Sequence, residues 1–364
     1  MNTTDIIRLR LINQGINRRN FTQPADVVSW MGAMQAQDYY ASLWAIGLRM
    51  NRVSEDEIEK AISNKTIIRT WPMRGTLHFV AAEDVRWMLD LMTPRIISGS
   101  AGRFRRLGID ESTLRKSKDL IIKALQGGKQ CARPEIYKLM EALNIPTSRQ
   151  RGMQILWRMA LEGLICAGPR VGKQHTFVLL DEWIPGQGKM NREEALTKLT
   201  RRYFRGHGPA TVYDFSWWSG LTIKDARQGI EMVAGDLKKR SIDGQYFWFP
   251  DDIEEKEAAS QRLHLLPAFD EYLVAYKDRS AALDQVRMNQ VYTTNGIFSS
   301  VIIANGKVAG TWKRIVEKDR VIIETNTFDP WSKSRRQAIA REARRYGKFI
   351  GRPALVTDRR GNPR

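Results

Sequence analysis

CARPEIYKLMEAL, residues 131–143, is followed by SRQRGMQILWRMALEGLICAG, residues 148–168, and PRVGKQHTFVLL, residues 169–180. The first stretch opens on Arg133-Pro134, with proline in the helical first turn, where its missing N–H is harmless. The second puts Ile155 and Met159 on one side and reaches Gly163, a residue suited to a helix end. The third alternates around a glycine-containing turn that carries Arg170 and Lys173. With DLIIKALQ (119–126) in front, the order is helix, helix, longer helix, hairpin, the winged-helix variant of helix-turn-helix.

The same order recurs about 75 residues later in EALTKLTRRYFRG, GPATVYDFSWWSG, TIKDARQGIEMVA and KRSIDGQYFWF. Pro209 is expected to open its second helix, Thr222 to cap its third, and Asp243-Gly244 to turn its hairpin. Residues 4–80 fit a looser copy, with Ser54 and Glu57 at capping-box spacing and a hairpin broken by Pro72 and Gly75. From His264 the pattern changes to strands: LHLLPAF, EYLVAY, a hairpin on Asn305-Gly306, and DRVIIETNTF. A basic helix from about Trp331 to Tyr346 buries Ile339, Ala343 and Tyr346. The expected fold is α+β: three tandem winged-helix modules with a β-rich C-terminal region and a terminal basic helix. The segments are 1–95, 96–185, 186–255 and 256–364.

Lys and Arg number 59 against 40 acidic residues in the 364-residue chain, a formal charge of +19. A polyanion is the partner this implies. From Trp331 onward eleven Lys or Arg face only Glu342 and Asp358. Two cysteines, Cys131 and Cys166, and four histidines show neither disulfide nor metal-ligand spacing, so the thiols read as reduced core residues and no metal or cofactor is expected. The N-terminus is charged at once and no apolar run approaches the ~20 residues of a membrane span. The expectation is a cytoplasmic monomer on double-stranded DNA, without a membrane partner.

Candidate DNA contacts are Arg69, Arg74 and His78 on the first wing, Arg149 and Arg151 on the middle third helix, Lys307 beyond the Asn305-Gly306 turn, and Arg335 and Arg336 on the terminal helix. Each has a bland reading as well. Arg69 and Arg74 suit internal ion pairs, His78 a structural histidine, Trp71 a core aromatic, and winged helices also bind proteins. The Asp270-Glu271 pair reads either as catalytic acids or as carboxylates that fix the chain's own arginines.

MQAQDYY, residues 34–40, follows a helix whose core stripe is Val27, Val28, Met31 and Met34. On a continuous helix Gln35 and Gln37 would point about 200° apart. On an extended segment they share one face while Ala36 turns inward. The two amides then emerge together as donors and acceptors for a water or a base; the bland alternative is two exposed polar residues.

Gln35-Ala36-Gln37, the hairpin residues Arg69, Thr70-Trp71 and Arg74-Gly75-Thr76-Leu77-His78, and the stretch from Leu266 to Tyr272 together resemble the winged-helix HTH_42 superfamily of bacterial DNA glycosylases, the AlkZ and YcaQ group. The resemblance spans about residues 4–350. It implies tandem winged helices around a DNA channel and excision of bases alkylated at the seven-position nitrogen, crosslinked ones included. It makes Gln35 and Gln37 the catalytic pair of the AlkZ-like branch, which carries Gln-apolar-Gln where the YcaQ-like branch carries Gln-apolar-Asp; Asp38 is the second candidate acid. The expectation is a monofunctional hydrolase of cationic 7-alkylguanine-type lesions. Its rival is a winged-helix transcription regulator without catalysis.

Overall fold

The computed structural model describes residues 1–186, 188–250 and 263–358. The segment boundary expected at 255/256 and the basic end at 359–364 lie outside the described residues. The chain begins with α1 (Thr3–Asn13), α2 (Pro24–Met31), β1 (Met34–Gln35), α3 (Tyr39–Leu48), α4 (Glu55–Ser63), β2 (Ile67–Met73), β3 (Thr76–Ala81) and α5 (Val85–Arg106). The middle contains α6 (Glu111–Leu125), β4 (Cys131–Ala132), α7 (Arg133–Ala142), α8 (Arg151–Leu161), β5 (Ile165–Val171), β6 (Gln174–Leu179) and the short α9 (Leu180–Trp183). Then come α10 (Arg192–His207), α11 (Val212–Ser219), α12 (Ile223–Met232), β7 (Leu237–Ile242), β8 (Gln245–Pro250) and β9 (Leu263–Leu266). The chain closes with α13 (Glu271–Val274), α14 (Met288–Val291), β10 (Val301–Ala304), β11 (Lys307–Val316), β12 (Val321–Thr327), α15 (Lys333–Phe349) and β13 (Ala354–Asp358).

These elements form two compact units, residues 60–196 and residues 1–59 with 197–364. The first expected segment is therefore divided between them, and its boundary at 95/96 falls inside α5, a helix of 22 residues that tolerates Pro94. In the unit of residues 60–196, the hairpins β2–β3 and β5–β6 share a sheet through the pairing of Arg69 with Ala167, and β4 extends it beside β6. Helices α6, α7 and α8 bury Leu114, Ile121, Leu125, Ile136, Met140, Ile155, Leu156 and Met159 beneath it. Trp71 is a core residue, stacked on Phe177 at 6.5 Å with an 8° interplanar angle. Cys166 is buried, and that burial pushes its thiol up to about 12, out of reach of thiolate chemistry at neutral pH; Cys131, also a free thiol, is half-buried at the edge of the core that holds Trp71.

In the other unit, α10, α11, α12 and the β7–β8 hairpin follow one another, and an isolated antiparallel bridge joins Ala210 to Trp248 of β8. Thr222 caps α12 as expected, in a reciprocal box with Asp225. Pro209 does not open α11: Thr211 caps that helix with Asp214, and Pro209 lies ahead of it after a cis peptide bond. Asp243 and Gly244 both take positive φ, 49° and 77°, the conformation a two-residue hairpin turn requires.

The C-terminal residues form a sheet in the order β13-β12-β11-β10-β9, antiparallel except for the β12–β13 pair. Ile339, Ala343 and Tyr346 are buried along α15 as the periodicity predicts. That helix also fixes α3. Trp44 packs edge-on to Tyr346 at 5.1 Å, and one Arg345 nitrogen donates to the carbonyls of Gly47, Leu48 and Met50 at 3.1, 2.8 and 3.0 Å. A cation at those carbonyls favours the negative end of the helix dipole. The expected strand EYLVAY is instead the one-turn helix α13. Phe269 takes a left-handed φ of 59° and Asp270 caps the next residues, accepting from the Tyr272 N–H at 2.9 Å, so the strand pattern is interrupted at its first residue.

Asn305 and Gly306 make the expected turn, with φ of 53° and 77°, but the turn is not a free probe. A Cβ on Gly306 would lie 2.1 Å from Ile7 Cγ2, and the Gly306 carbonyl accepts the Tyr272 hydroxyl at 2.6 Å. Gly306→Ala should therefore cost roughly 2 kcal/mol or more through positive φ and overpacking. A shifted urea midpoint measures the loss, and an unchanged midpoint contradicts the packing.

Candidate active site

Helix α2 ends at Met31, and Gly32, with φ of 76°, lets the chain leave it beside the Trp218 ring. The backbone is extended through β1 until Asp38 starts α3, where its carboxylate accepts the Ala41 N–H at 3.1 Å. Period two then operates: Met34 and Ala36 are fully buried, while Gln35 is half-exposed and Gln37 exposed. The two side chains meet, Gln35 Nε2 donating to Gln37 Oε1. Asp38 is the helix cap, which commits the second candidate acid to a structural bond.

Behind this pair lies a buried polar layer that joins distant parts of the sequence. Glu271, 1% exposed, accepts the Gln35 backbone N–H at 2.8 Å on one carboxylate oxygen and the Trp218 indole N–H at 3.0 Å on the other. Asp270 accepts both terminal nitrogens of Arg49 at 2.9 Å, a bidentate pair with side chains 1% and 0% exposed. Arg49 also donates to Gln14, Gln14 donates to the Tyr276 hydroxyl at 3.0 Å, and that hydroxyl donates to the His207 carbonyl at 2.6 Å. Asp270 thus fixes an arginine, as one sequence reading had it; Glu271 takes the different task of holding the backbone of Gln35. Arg49, Gln14 and Trp218 had no local signal, because the contacts to Asp270 and Glu271 cross up to 257 residues of chain.

The expected DNA contacts divide by exposure. Arg69 is 6% exposed on β2, a strand whose residues are buried on both faces, and His78 is wholly buried opposite Thr70. Side-chain contact with DNA is corrected for both. The His78 ring donates from Nδ1 to the Thr76 carbonyl at 2.9 Å and lies 3.3 Å from Arg74 at Nε2. Arg74 is half-buried at the β2–β3 turn. Arg149 is exposed but sits in the turn before α8, with φ of 50°. Arg151 donates to the carbonyls of Pro146 and Leu107 and so secures that turn. Lys307, Arg335 and Arg336 are exposed. Among the described residues no group of histidine, cysteine and carboxylate side chains has metal-binding geometry, and no helix is long and apolar enough to cross a membrane.

The family description "DNA glycosylase AlkZ-like" matches residues 28–349, and the chain belongs to that family. It is accordingly a DNA glycosylase, a hydrolase of N-glycosidic bonds, and the transcription-regulator reading is not favoured. The chain is similar to the interstrand DNA cross-link repair glycosylase of Streptomyces sahachiroi, with 24% identity over 330 residues that cover 86% of this chain and 88% of the relative. It shares the fold of the Streptomyces sahachiroi DNA glycosylase AlkZ, with a TM-score of 0.81 and 21% identity over 98% of this chain and all of the other.

Two outcomes follow from the buried groups. Burial first, and then a neighbouring arginine, hold His78 at about 3; burial chiefly holds His207 at about 3, so both rings are neutral in the fold. The unfolded chain protonates them near 6.5, so below that value it binds protons that the native state refuses. Stability is full above pH 6.5 and falls as pH drops toward 3. Between pH 7.5 and 5.5 each ring should remove about 1.4 kcal/mol, read as a falling denaturation midpoint. Asp270→Asn leaves Arg49 buried without its counter-charge and should cost about 3–5 kcal/mol in the same assay.

Proposed function

We propose that Gln35 and Gln37 carry out hydrolytic excision of cationic alkylated purines of the 7-alkylguanine type, including such bases held in interstrand crosslinks. The observation that carries this reading is the joined amide pair on the solvent-facing side of an extended segment, in a member of a DNA glycosylase family. The Streptomyces sahachiroi relative, an interstrand DNA cross-link repair glycosylase, supports the extension to crosslinks. The helix-and-hairpin repeats at residues 111–179 and 192–250, with a looser first copy, are read as tandem winged helices that grip double-stranded DNA.

Glycoside hydrolysis ordinarily needs an acid for the leaving group and a carboxylate for the sugar cation or the water. A purine alkylated at the seven position is already cationic and departs neutral, which removes the need for the acid. Gln35, by donating to Gln37 Oε1, holds that carboxamide in one rotation. The second lone pair of Oε1 then accepts an O–H of the attacking water and aims it at the sugar. An amide dipole supplies less than the ~4 kcal/mol of raw attraction a carboxylate gives at about 4 Å and an effective dielectric near 20. With ~1.4 kcal/mol per factor of ten in rate, ordinary bases with strong glycosidic bonds are spared. The weakness of the catalyst is its selectivity. The product is an abasic site, and no Schiff-base step is invoked.

Gln37→Ala should slow single-turnover release of 7-methylguanine from duplex DNA by roughly a hundredfold, and an unchanged rate defeats the assignment. Borohydride trapping should give no covalent adduct with DNA. Replacing Arg335 and Arg336 together by alanine should weaken binding to all sequences alike and reduce the salt slope by up to about 2, one per lost phosphate contact.

A further inference from the structure

We propose that Glu271 is a positioning residue for the Gln35–Gln37 pair, a role that rests on the excision reading above. Strand β1 is two residues long, too short for its own ladder to fix which way the glutamines face. A slip of one residue would turn Ala36 outward and both amides inward. Something outside the segment must hold its register, and the carboxylate of Glu271 grips it at the Gln35 N–H.

The grip is itself immobilised. Glu271 is the first residue of α13, whose cap Asp270 is held by Arg49 through two bonds of 2.9 Å. Its second oxygen takes the indole N–H of Trp218, a ring that is 0% exposed and would stand 3.3 Å from a Cβ on Gly32. Glu271 and Trp218 therefore secure two points of one short segment, the bend at Gly32 and the backbone of Gln35. With each oxygen accepting an N–H and 1% of the residue exposed, Glu271 is placed to orient the pair and not to exchange protons with a substrate.

Glu271→Gln provides the test, because a carboxamide has one accepting oxygen and one donating NH2. The NH2 must face either the Gln35 N–H or the Trp218 indole N–H, and both are donors. Adding Trp218→Phe removes the indole donor and lets the carboxamide oxygen serve Gln35 again. We expect E271Q to lower single-turnover release of 7-methylguanine about thirtyfold, with affinity for the lesion duplex held within about twofold. Amide hydrogen exchange in the peptide covering residues 32–38 should quicken. The E271Q/W218F protein should recover to within about threefold of W218F alone in rate, and its exchange at 32–38 should fall back from that of E271Q to that of W218F. An E271Q protein with native rate, or a double variant whose exchange recovers while its rate does not, overturns the proposal; the second result assigns the loss to charge and not to position. Should the unsubstituted protein release no base from any lesion, the excision reading falls, while exchange at 32–38 still decides the anchor: unaltered exchange in E271Q overturns it. If E271Q does not fold, Trp218→Phe alone should quicken that exchange and slow release about threefold, and no change in either overturns the proposal.

Discussion

The buried pair of Arg49 and Asp270 is the constraint on which the site depends. It joins residues 221 apart, the end of α3 and the cap of α13, with neither side chain more than 1% exposed. Such a pair adds little net stability, because desolvating two charges cancels much of their attraction, but leaving either one unpartnered is costly. Its contribution is to specify an arrangement. Since Asp38 starts α3 and Glu271 directly follows Asp270, fixing those two helices brings the glutamines and the buried carboxylate to one place. Arg345 and the aromatic contacts of Trp44 hold α3 from the other side, so the segment ahead of it leaves a rigid support.

Rigidity is gained here at the expense of local preference. Phe269 takes a left-handed backbone that costs an aromatic residue about 1–2 kcal/mol, and the surrounding bonds of Asp270 and Tyr272 keep it there. The bend turns the chain out of β9 and delivers Asp270 and Glu271 into the interior. A regular strand through the same sequence would put successive side chains on opposite faces and separate the two carboxylates. The proposed chemistry suits such a frame: when the reacting groups are neutral amides, orientation and a labile substrate must supply what charge does not.

The charge of the chain serves two ends. Several arginines, among them the DNA candidate Arg151, are spent on the protein itself: Arg49 on Asp270, Arg345 on the end of α3, Arg151 on the carbonyls before α8, and Arg158 on Glu162. Lys307, Arg335 and Arg336 remain exposed, and it is on such positive side chains that the proposed DNA binding draws. A surplus of +19 therefore overstates the number of DNA contacts.

Features set within a few residues of one another are legible in the amino-acid order. It gave away the helix-and-hairpin order, the Asn305-Gly306 and Asp243-Gly244 turns, the Thr222 and Ser54 caps, the buried stripe of α15, and the common face of Gln35 and Gln37, each fixed by backbone geometry or periodicity. It misread EYLVAY as a strand, because the apolar run is local while the bond that caps it belongs to a residue pinned by Arg49 from elsewhere. It also left Arg69 and His78 open between surface and interior, since only what packs on the two faces of the sheet decides that a residue on β2 or β3 is covered. Whether a side chain is buried, and which distant partner satisfies it once it is, depends on contacts that no short stretch contains. For that reason Glu271 acquires its place behind the glutamines only in the folded chain.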